Sequence, residues 1–316
     1  MRTFQLALIL LIFISCGNNK KKQNVAEVEV EKNEETMSKQ FFKISLAQWS
    51  LHKAIRQGGM DPFDFAKEAK ALGIDAIEYV SGLYDDQVKE LGMDAVVEKL
   101  KLESKKHGVK NLLIMIDGQG NLASSDENEL NEAIEKHKKW VDAAIALGCH
   151  SIRVNAHGDG TSEEVLEQAV KGLSRLSEYA HTKGINILVE NHGGYTSNGQ
   201  WLASVMAKVN KPNCGTLPDF GNFCIKGNVL SCEDEYDRYK GVKELMPYAK
   251  AVSAKSYDFD KNGNETLIDY SRILQTVKDA GYSGYIGIEY EGDRLSEKEG
   301  ILATKKLLEK VAKEVK

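Results

Sequence analysis

Several things this chain lacks narrow its function before any motif is read. A net charge of −5 comes with no dense Lys/Arg patch beside aromatic residues. Neutralising a phosphate backbone needs such a concentrated basic face, so nucleic acid is excluded as a partner. There are 5 cysteines, Cys16, Cys149, Cys214, Cys224 and Cys232, and no two have the paired spacing of a structural metal site. No arginine cluster and no glycine-rich loop at a helix start offer a seat for a phosphate group. Only one long apolar run exists, Phe4 to Ile14, and it is too short for a stable bilayer span.

That run follows Arg2 and ends at Ser15-Cys16-Gly17. A short basic start, an apolar stretch and a small residue before a cysteine read as an export signal. The phrase resembles a bacterial lipobox, with residues 1–15 removed and Cys16 becoming the lipidated first residue. Residues 16–40 then alternate Lys and Glu with almost nothing to bury, the composition of a solvated tether. At random-coil scaling such a tether reaches roughly 25–30 Å. The expected location is the bacterial cell envelope, on the periplasmic face of the outer membrane, with the lipid as the only membrane contact. An exported chain permits disulfides, and Cys224 with Cys232 is the candidate bridge. Cys149 and Cys214, beside strands, read as buried free thiols.

From residue 41 to 316 short apolar runs alternate with longer amphipathic ones. Strands are expected at 42–48, 75–80, 111–116, 151–155, 186–190, 214–219, 249–255 and 284–289. Helices are expected at 62–72, 94–107, 127–147, 162–183, 200–209, 233–246, 269–280 and 297–315. Gly73, Gly108, Gly148, Gly184 and Gly281 each stand between a helix and the next strand, where a left-handed cap is needed. Unbroken βα alternation over this length fits an α/β fold made of a single (β/α)8 TIM barrel. A doubly wound open sheet is the competing architecture. It would more often carry a phosphate loop after its first strand, and Leu46-Ala-Gln-Trp-Ser-Leu51 has none.

In a barrel the C-terminal strand ends and the loops after them converge on one site. Here that set comprises Gln48, Trp49, Glu78, Met115, Asp117, Asn155, His157, Glu190, His192, Asp219, Asn222, Lys255, Tyr257, Glu289 and Glu291. Glu190, Asp219 and Glu289 close the fifth, sixth and eighth expected strands, neighbours on one half of the rim. Three carboxylates in one concavity repel unless a cation or protons intervene. Oxygen ligands favour Mg²⁺ or Mn²⁺, and added imidazole shifts the preference toward Mn²⁺, Co²⁺ or Zn²⁺. Any one of these acids alone also reads as a loop cap or as the partner of Lys255 or Arg153.

With these residues in view the barrel resembles the xylose isomerase-like TIM-barrel superfamily, which includes sugar isomerases and ketose 3-epimerases. The resemblance is carried by Val189-Glu190-Asn191-His192, Pro218-Asp219-Phe220-Gly221-Asn222, Val252-Ser253-Ala254-Lys255 and Ile288-Glu289. It implies that Glu190, Asp219 and Glu289 are ligands of a divalent metal. It further implies that Glu190 and Glu289 act as acid and base on the carbon beside a sugar ketone, through an enediolate. Ser253 departs from the pattern, standing where the family places a histidine ligand. The ion would then be held by the three carboxylates and water, or with help from His192 or His157. Without a metal, the chain would be a non-catalytic sugar-binding lipoprotein.

Lys255 is expected either to stabilise the enediolate oxygen or to form a structural salt bridge. Trp49 and Tyr257 could stack on a sugar ring, while Glu78, Asn155, His157, His192 and Asn222 would bind hydroxyls. A free or glycosidically linked carbohydrate is the expected partner. The same parts would serve epimerisation or, on a 3-keto-glycoside, elimination of the C1 substituent.

Overall fold

The structure is a computed structural model that describes residues 40–228 and 231–316. The expected leader at 1–15, Cys16 and the tether up to residue 39 lie outside the described residues.

The first half runs β1 (Lys43–Ala47), α1 (His52–Arg56), α2 (Phe65–Ala71), β2 (Ala76–Val80), α3 (Asp85–Leu91), α4 (Met93–His107), β3 (Lys110–Met115), α5 (Glu127–Leu147) and β4 (Ser151–Val154). The second half runs α6 (Ser162–His181), β5 (Asn186–Glu190), α7 (Gly199–Val209), β6 (Cys214–Leu217), β7 (Cys224–Asn228), β8 (Ser231–Glu235), α8 (Arg238–Leu245), β9 (Val252–Ser256), α9 (Tyr270–Asp279), β10 (Tyr285–Tyr290) and α10 (Glu297–Val311). Eight of the strands form one parallel sheet in the order β6-β5-β4-β3-β2-β1-β10-β9. The two ends meet through single bridges, Thr216 with Ala249 and Asp219 with Ser253, so the sheet closes on itself. Ser253 N donates to Pro218 O at 2.9 Å and Phe220 N to Ser253 O at 3.1 Å across that closure. The (β/α)8 barrel is the observed fold.

Local sequence accounts for the elements. Every residue of β2 and β9 is buried, as expected for parallel strands covered on both faces. Along α5, Leu130, Ala133, Ile134, His137, Trp140, Val141 and Ala144 recur at helical spacing and form its inward stripe. Thr161 with Glu164 and Ser296 with Glu299 close reciprocal capping boxes at the starts of α6 and α10. All five interelement glycines take positive φ; Gly108 and Gly148 are left-handed caps at φ 64° and 75°.

Two expectations needed correction. The helix expected at 62–72 opens with a 3-10 turn, Pro62–Asp64, under the Asp61 side chain. The helix expected at 233–246 begins only at Arg238. Asp237 accepts hydrogen bonds from Tyr239 N and Lys240 N, which fixes the first turn there. The acidic residues before it, Glu233 to Glu235, belong to an antiparallel hairpin of β7 and β8. A Cys224–Cys232 disulfide pins that hairpin, as the sequence suggested, and Cys149 and Cys214 are buried free thiols.

Candidate active site

Glu190 ends β5, Asp219 follows β6 and Glu289 lies near the end of β10. Strand order and closure make their strands near neighbours, and one carboxylate oxygen from each lies within 4.8 Å of the others. All three are buried, at 1%, 0% and 3% exposure, which rules out solvated rim acids. Asp219 is held from both sides: Oδ1 accepts from Gly221 N and Asn222 N, both at 2.8 Å, and Oδ2 from Ser253 Oγ at 2.6 Å. Asn191 fixes its backbone, accepting from Asp219 N at 2.8 Å and donating to Asp219 O at 3.0 Å. Ser253 Oγ also stands 3.3 Å from Glu289 Oε2, and its one proton serves one carboxylate at a time.

Two cations border the triad. Lys255 Nζ donates to Glu289 Oε1 at 2.6 Å and to Glu291 Oε2 at 2.9 Å. Arg153 Nη1 donates to Asp117 Oδ1 at 2.8 Å. Arg153 Nε stands 2.7 Å from Glu190 Oε2, but its N–H is not directed at that oxygen. We read this as a charge contact, which leaves Glu190 Oε2 buried without a hydrogen-bond donor; Asn222 Nδ2 serves only Oε1, at 3.0 Å. Burial pushes Glu190 up to about 8, Glu289 and Asp219 adding to the rise and Arg153 and Lys255 opposing it. Burial likewise pushes Asp219 up to about 6, against the charge of Lys255. Lys255 loses solvation too, yet the carboxylates around it hold its ammonium well above the usual range.

Most of the other expected residues gather around this centre. Asn155 Nδ2 donates to Asp117 Oδ1 at 2.9 Å, while its Oδ1 has no partner. Tyr257 Oη is also buried without a partner, close to Gly221, where an added Cβ would come within 2.8 Å of it. The His157 and His192 rings lie nearly parallel, 6.2 Å apart, and His157 Nε2 is 2.9 Å from His192 O. His192 is exposed to solvent on part of its surface, while burial of the rest of the ring, then the charges of Arg153 and Lys255, push it below the usual imidazole range. Neither histidine joins the ligand cluster, so among the described residues the donor set is three carboxylates. Trp49 stacks on His52 at 4.4 Å, carries Arg56 at 4.6 Å from its ring, and donates from Nε1 to Glu291. It therefore steadies the partner of Lys255.

Glu78 stands on β2. It lies inside the barrel, 1% exposed, with Ser45 Oγ donating to Oε1 at 2.6 Å and Oε2 unpartnered. A Cβ at Gly287 would come within 2.6 Å of its carboxyl, so glycine there makes room for it. A strand-centre residue facing inward is enclosed by the barrel, and Glu78 lies close enough to Glu289 and Arg153 to feel their charges. Burial pushes Glu78 up to about 7 from 4.5, with Ser45 opposing and Glu289 adding. The fold thus favours the protonated carboxyl. That contribution is complete below about pH 4.5, declines as pH rises to 7, and is level above it. Glu78→Gln, read by urea unfolding of metal-free protein at pH 5 and 8, should gain on the wild type by up to ~3 kcal/mol at the higher pH. A difference that does not change with pH would contradict this.

From sequence Arg153 was read only as a pairing partner of a strand-end acid, Glu291 only as a residue at the barrel mouth, and Asn191 only as part of a shared phrase. Only the place of Asn191 in Glu190-Asn191-His192 and of Glu291 two residues past Glu289 hinted at more.

The fold and this arrangement belong to a recognisable group of enzyme-type barrels. Residues 66–311, more than half the chain, match the xylose isomerase-like TIM barrel family, and the chain belongs to that family. Among curated relatives, the C-glycoside deglycosidase alpha subunit of Arthrobacter globiformis is 45% identical over 49 residues, 16% of this chain and 14% of the relative. The inosose dehydratase of Geobacillus thermodenitrificans is 23% identical over 204 residues, 54% of this chain and 66% of the relative. The matches therefore span less than two thirds of these relatives. A solved structure of IOLI protein with a bound zinc atom superposes with TM-score 0.67 at 18% identity, over 87% of this chain and 99% of its own. The 3-keto-D-glucoside 4-epimerase YcjR from E. coli does so with TM-score 0.64 at 12% identity, over 85% and 99%. These likenesses establish the fold.

Proposed function

We propose that this chain is a metal-assisted enzyme that removes the proton beside a sugar ketone. The observation that carries the reading is the convergence of three buried carboxylates, Glu190, Asp219 and Glu289, with one oxygen of each within 4.8 Å of the others. The residues fit a divalent ion, held by Glu190, Asp219 and Glu289. When bound, the ion would supply Lewis-acid polarisation of the ketone and its neighbouring oxygen. Oxygen donors alone favour Mg²⁺ or Mn²⁺ over Zn²⁺ or Co²⁺.

The protein's own groups divide the remaining work. Glu190, whose Oε2 lies 2.7 Å from Arg153 Nε and whose basicity burial raises, takes the proton from the carbon beside the carbonyl. Glu289, engaged by Lys255, is placed to return a proton on the opposite face. Lys255 has one ammonium proton beyond its two ion pairs, and this faces the developing negative oxygen. Asn155, Asn222 and Tyr257 bring polar atoms to substrate hydroxyls; two of these, Asn155 Oδ1 and Tyr257 Oη, have no protein partner. His157 and His192 line the entrance.

A second reading uses the same first step on a 3-keto-glycoside, with loss of the C1 substituent in place of epimerisation. The stretch 45% identical to a C-glycoside deglycosidase subunit favours it. Export with a lipid on Cys16 belongs to the proposal as well, supported by the N-terminal sequence and by the Cys224–Cys232 disulfide.

The test is incubation with Mg²⁺ or Mn²⁺, a panel of ketoses and 3-keto-glycosides, and D₂O. Deuterium should enter the carbon beside the ketone, and EDTA should stop it. Sugar binding that is indifferent to chelator, with no deuterium uptake, would make the chain a binding protein instead.

A further inference from the structure

A cavity of about 500 Å³ has a wall that includes His157, Val165, His192, Tyr195, Thr196 and Ile225. His192 in that wall feels the charges of Arg153 and Lys255, and two segments connect the wall to the triad. His192 is two residues past Glu190, and Ile225 is three past Asn222, which donates to Glu190. The volume is that of a small-molecule pocket. No Lys, Arg, Asp or Glu lines it. A phosphate or carboxylate would lose its hydration there without gaining a charged partner, whereas an uncharged ring would not.

The wall is set in advance. His157 Nε2 is held at His192 O, and His192 N donates to Thr196 Oγ1 at 2.9 Å. Tyr195 Oη donates to Gly160 O at 3.1 Å, and its ring stacks on Trp201. Ile225 follows Cys224, whose disulfide to Cys232 fixes the hairpin. Binding here orders little that is not already ordered, so contact area is not spent on entropy.

We propose that this cavity receives the uncharged group at C1 of a 3-keto-glycoside, so that the chain acts on glycosides in preference to free ketoses. The inference rests on the function given above and names its substrate class. Loss of the C2 proton to the base gives the enolate of the C3 ketone. The same electron pair then forms the C1=C2 bond as the bond from C1 to the substituent breaks. The substituent leaves with that bonding pair and takes up one proton, and the ketone at C3 is neither oxidised nor reduced. The substrate must therefore come from a reaction that oxidises the C3 alcohol of a glycoside. The unsaturated product is consumed by addition of water.

The experiment compares benzyl and methyl 3-keto-glucosides, whose leaving alcohols are of nearly equal acidity, with Mn²⁺, reading deuterium uptake at C2 and release of the alcohol. The wild type should favour the benzyl substrate at least ~10-fold in kcat/KM, as one well-buried ring contributes. Ile225→Trp, which fills the cavity, should bring that ratio close to one, while Ile225→Ala, which leaves it open, should keep it. Equal rates on the two substrates, or a ratio that Ile225→Trp leaves in place, would overturn the subsite and leave the proposed chemistry standing. Absence of both exchange and release from either substrate would overturn the chemistry and the subsite together.

Discussion

Glu190→Gln is expected to slow solvent exchange at the carbon beside the ketone by ~10²–10⁴-fold, the usual loss when a positioned base is removed. The amide has nearly the same shape and keeps an oxygen for the Asn222 donor, so the hydrogen bond at Oε1 survives. It offers no lone pair of comparable basicity where Oε2 now stands 2.7 Å from Arg153 Nε. Because Glu190 also belongs to the ligand cluster, metal affinity should weaken as well. The two effects separate when exchange is followed by NMR at saturating Mn²⁺. Recovery to within about threefold of wild type would mean that Glu190 only holds the ion and that the base lies elsewhere.

Adding Mg²⁺ or Mn²⁺ at ~100 times its dissociation constant should stabilise the wild type by ~2.7 kcal/mol, a rise of ~5 °C in midpoint for a domain this size. Asp219→Asn should abolish that rise while the metal-free protein stays folded. The substituted amide oxygen still accepts from Gly221 N and Asn222 N, and the buried position no longer carries a charge. Ser253→His places an imidazole beside Asp219 and Glu289 and should move the preference toward Zn²⁺ or Co²⁺. Thermal scans with each ion decide the matter. Equal shifts in wild type and Asp219→Asn would show that the metal binds away from the triad.

The sequence made the barrel legible because two local signals repeat around it: a glycine between helix and strand, and a carboxylate where a strand gives way to a small-residue loop. Gly108 and Gly148 take the left-handed φ that their positions demand, and Glu190, Asp219 and Glu289 converge as strand order requires. Partners across the barrel were harder to read. Arg153 meets Asp117 and Glu190 through register between β3, β4 and β5, and no spacing along one strand reports that. How fully the barrel encloses Glu78 was not legible, because alternation tells which way a side chain faces but not how high it stands. The Glu233-Asp234-Glu235 run looked like the acidic first turn of a helix. Pairing with Cys224 to Asn228 and the disulfide overrode that local preference.

The ring of strands is joined between β6 and β9 by two isolated bridges, where the other neighbours pair as ladders of two to five residues. One of those bridges joins Asp219 to Ser253, and Ser253 in turn reaches Glu289. A cation gripped by Asp219 from one side and Glu289 from the other would sit astride this join like a rivet in a hoop. Mechanical tightness and chemical readiness would then be supplied by one and the same atom.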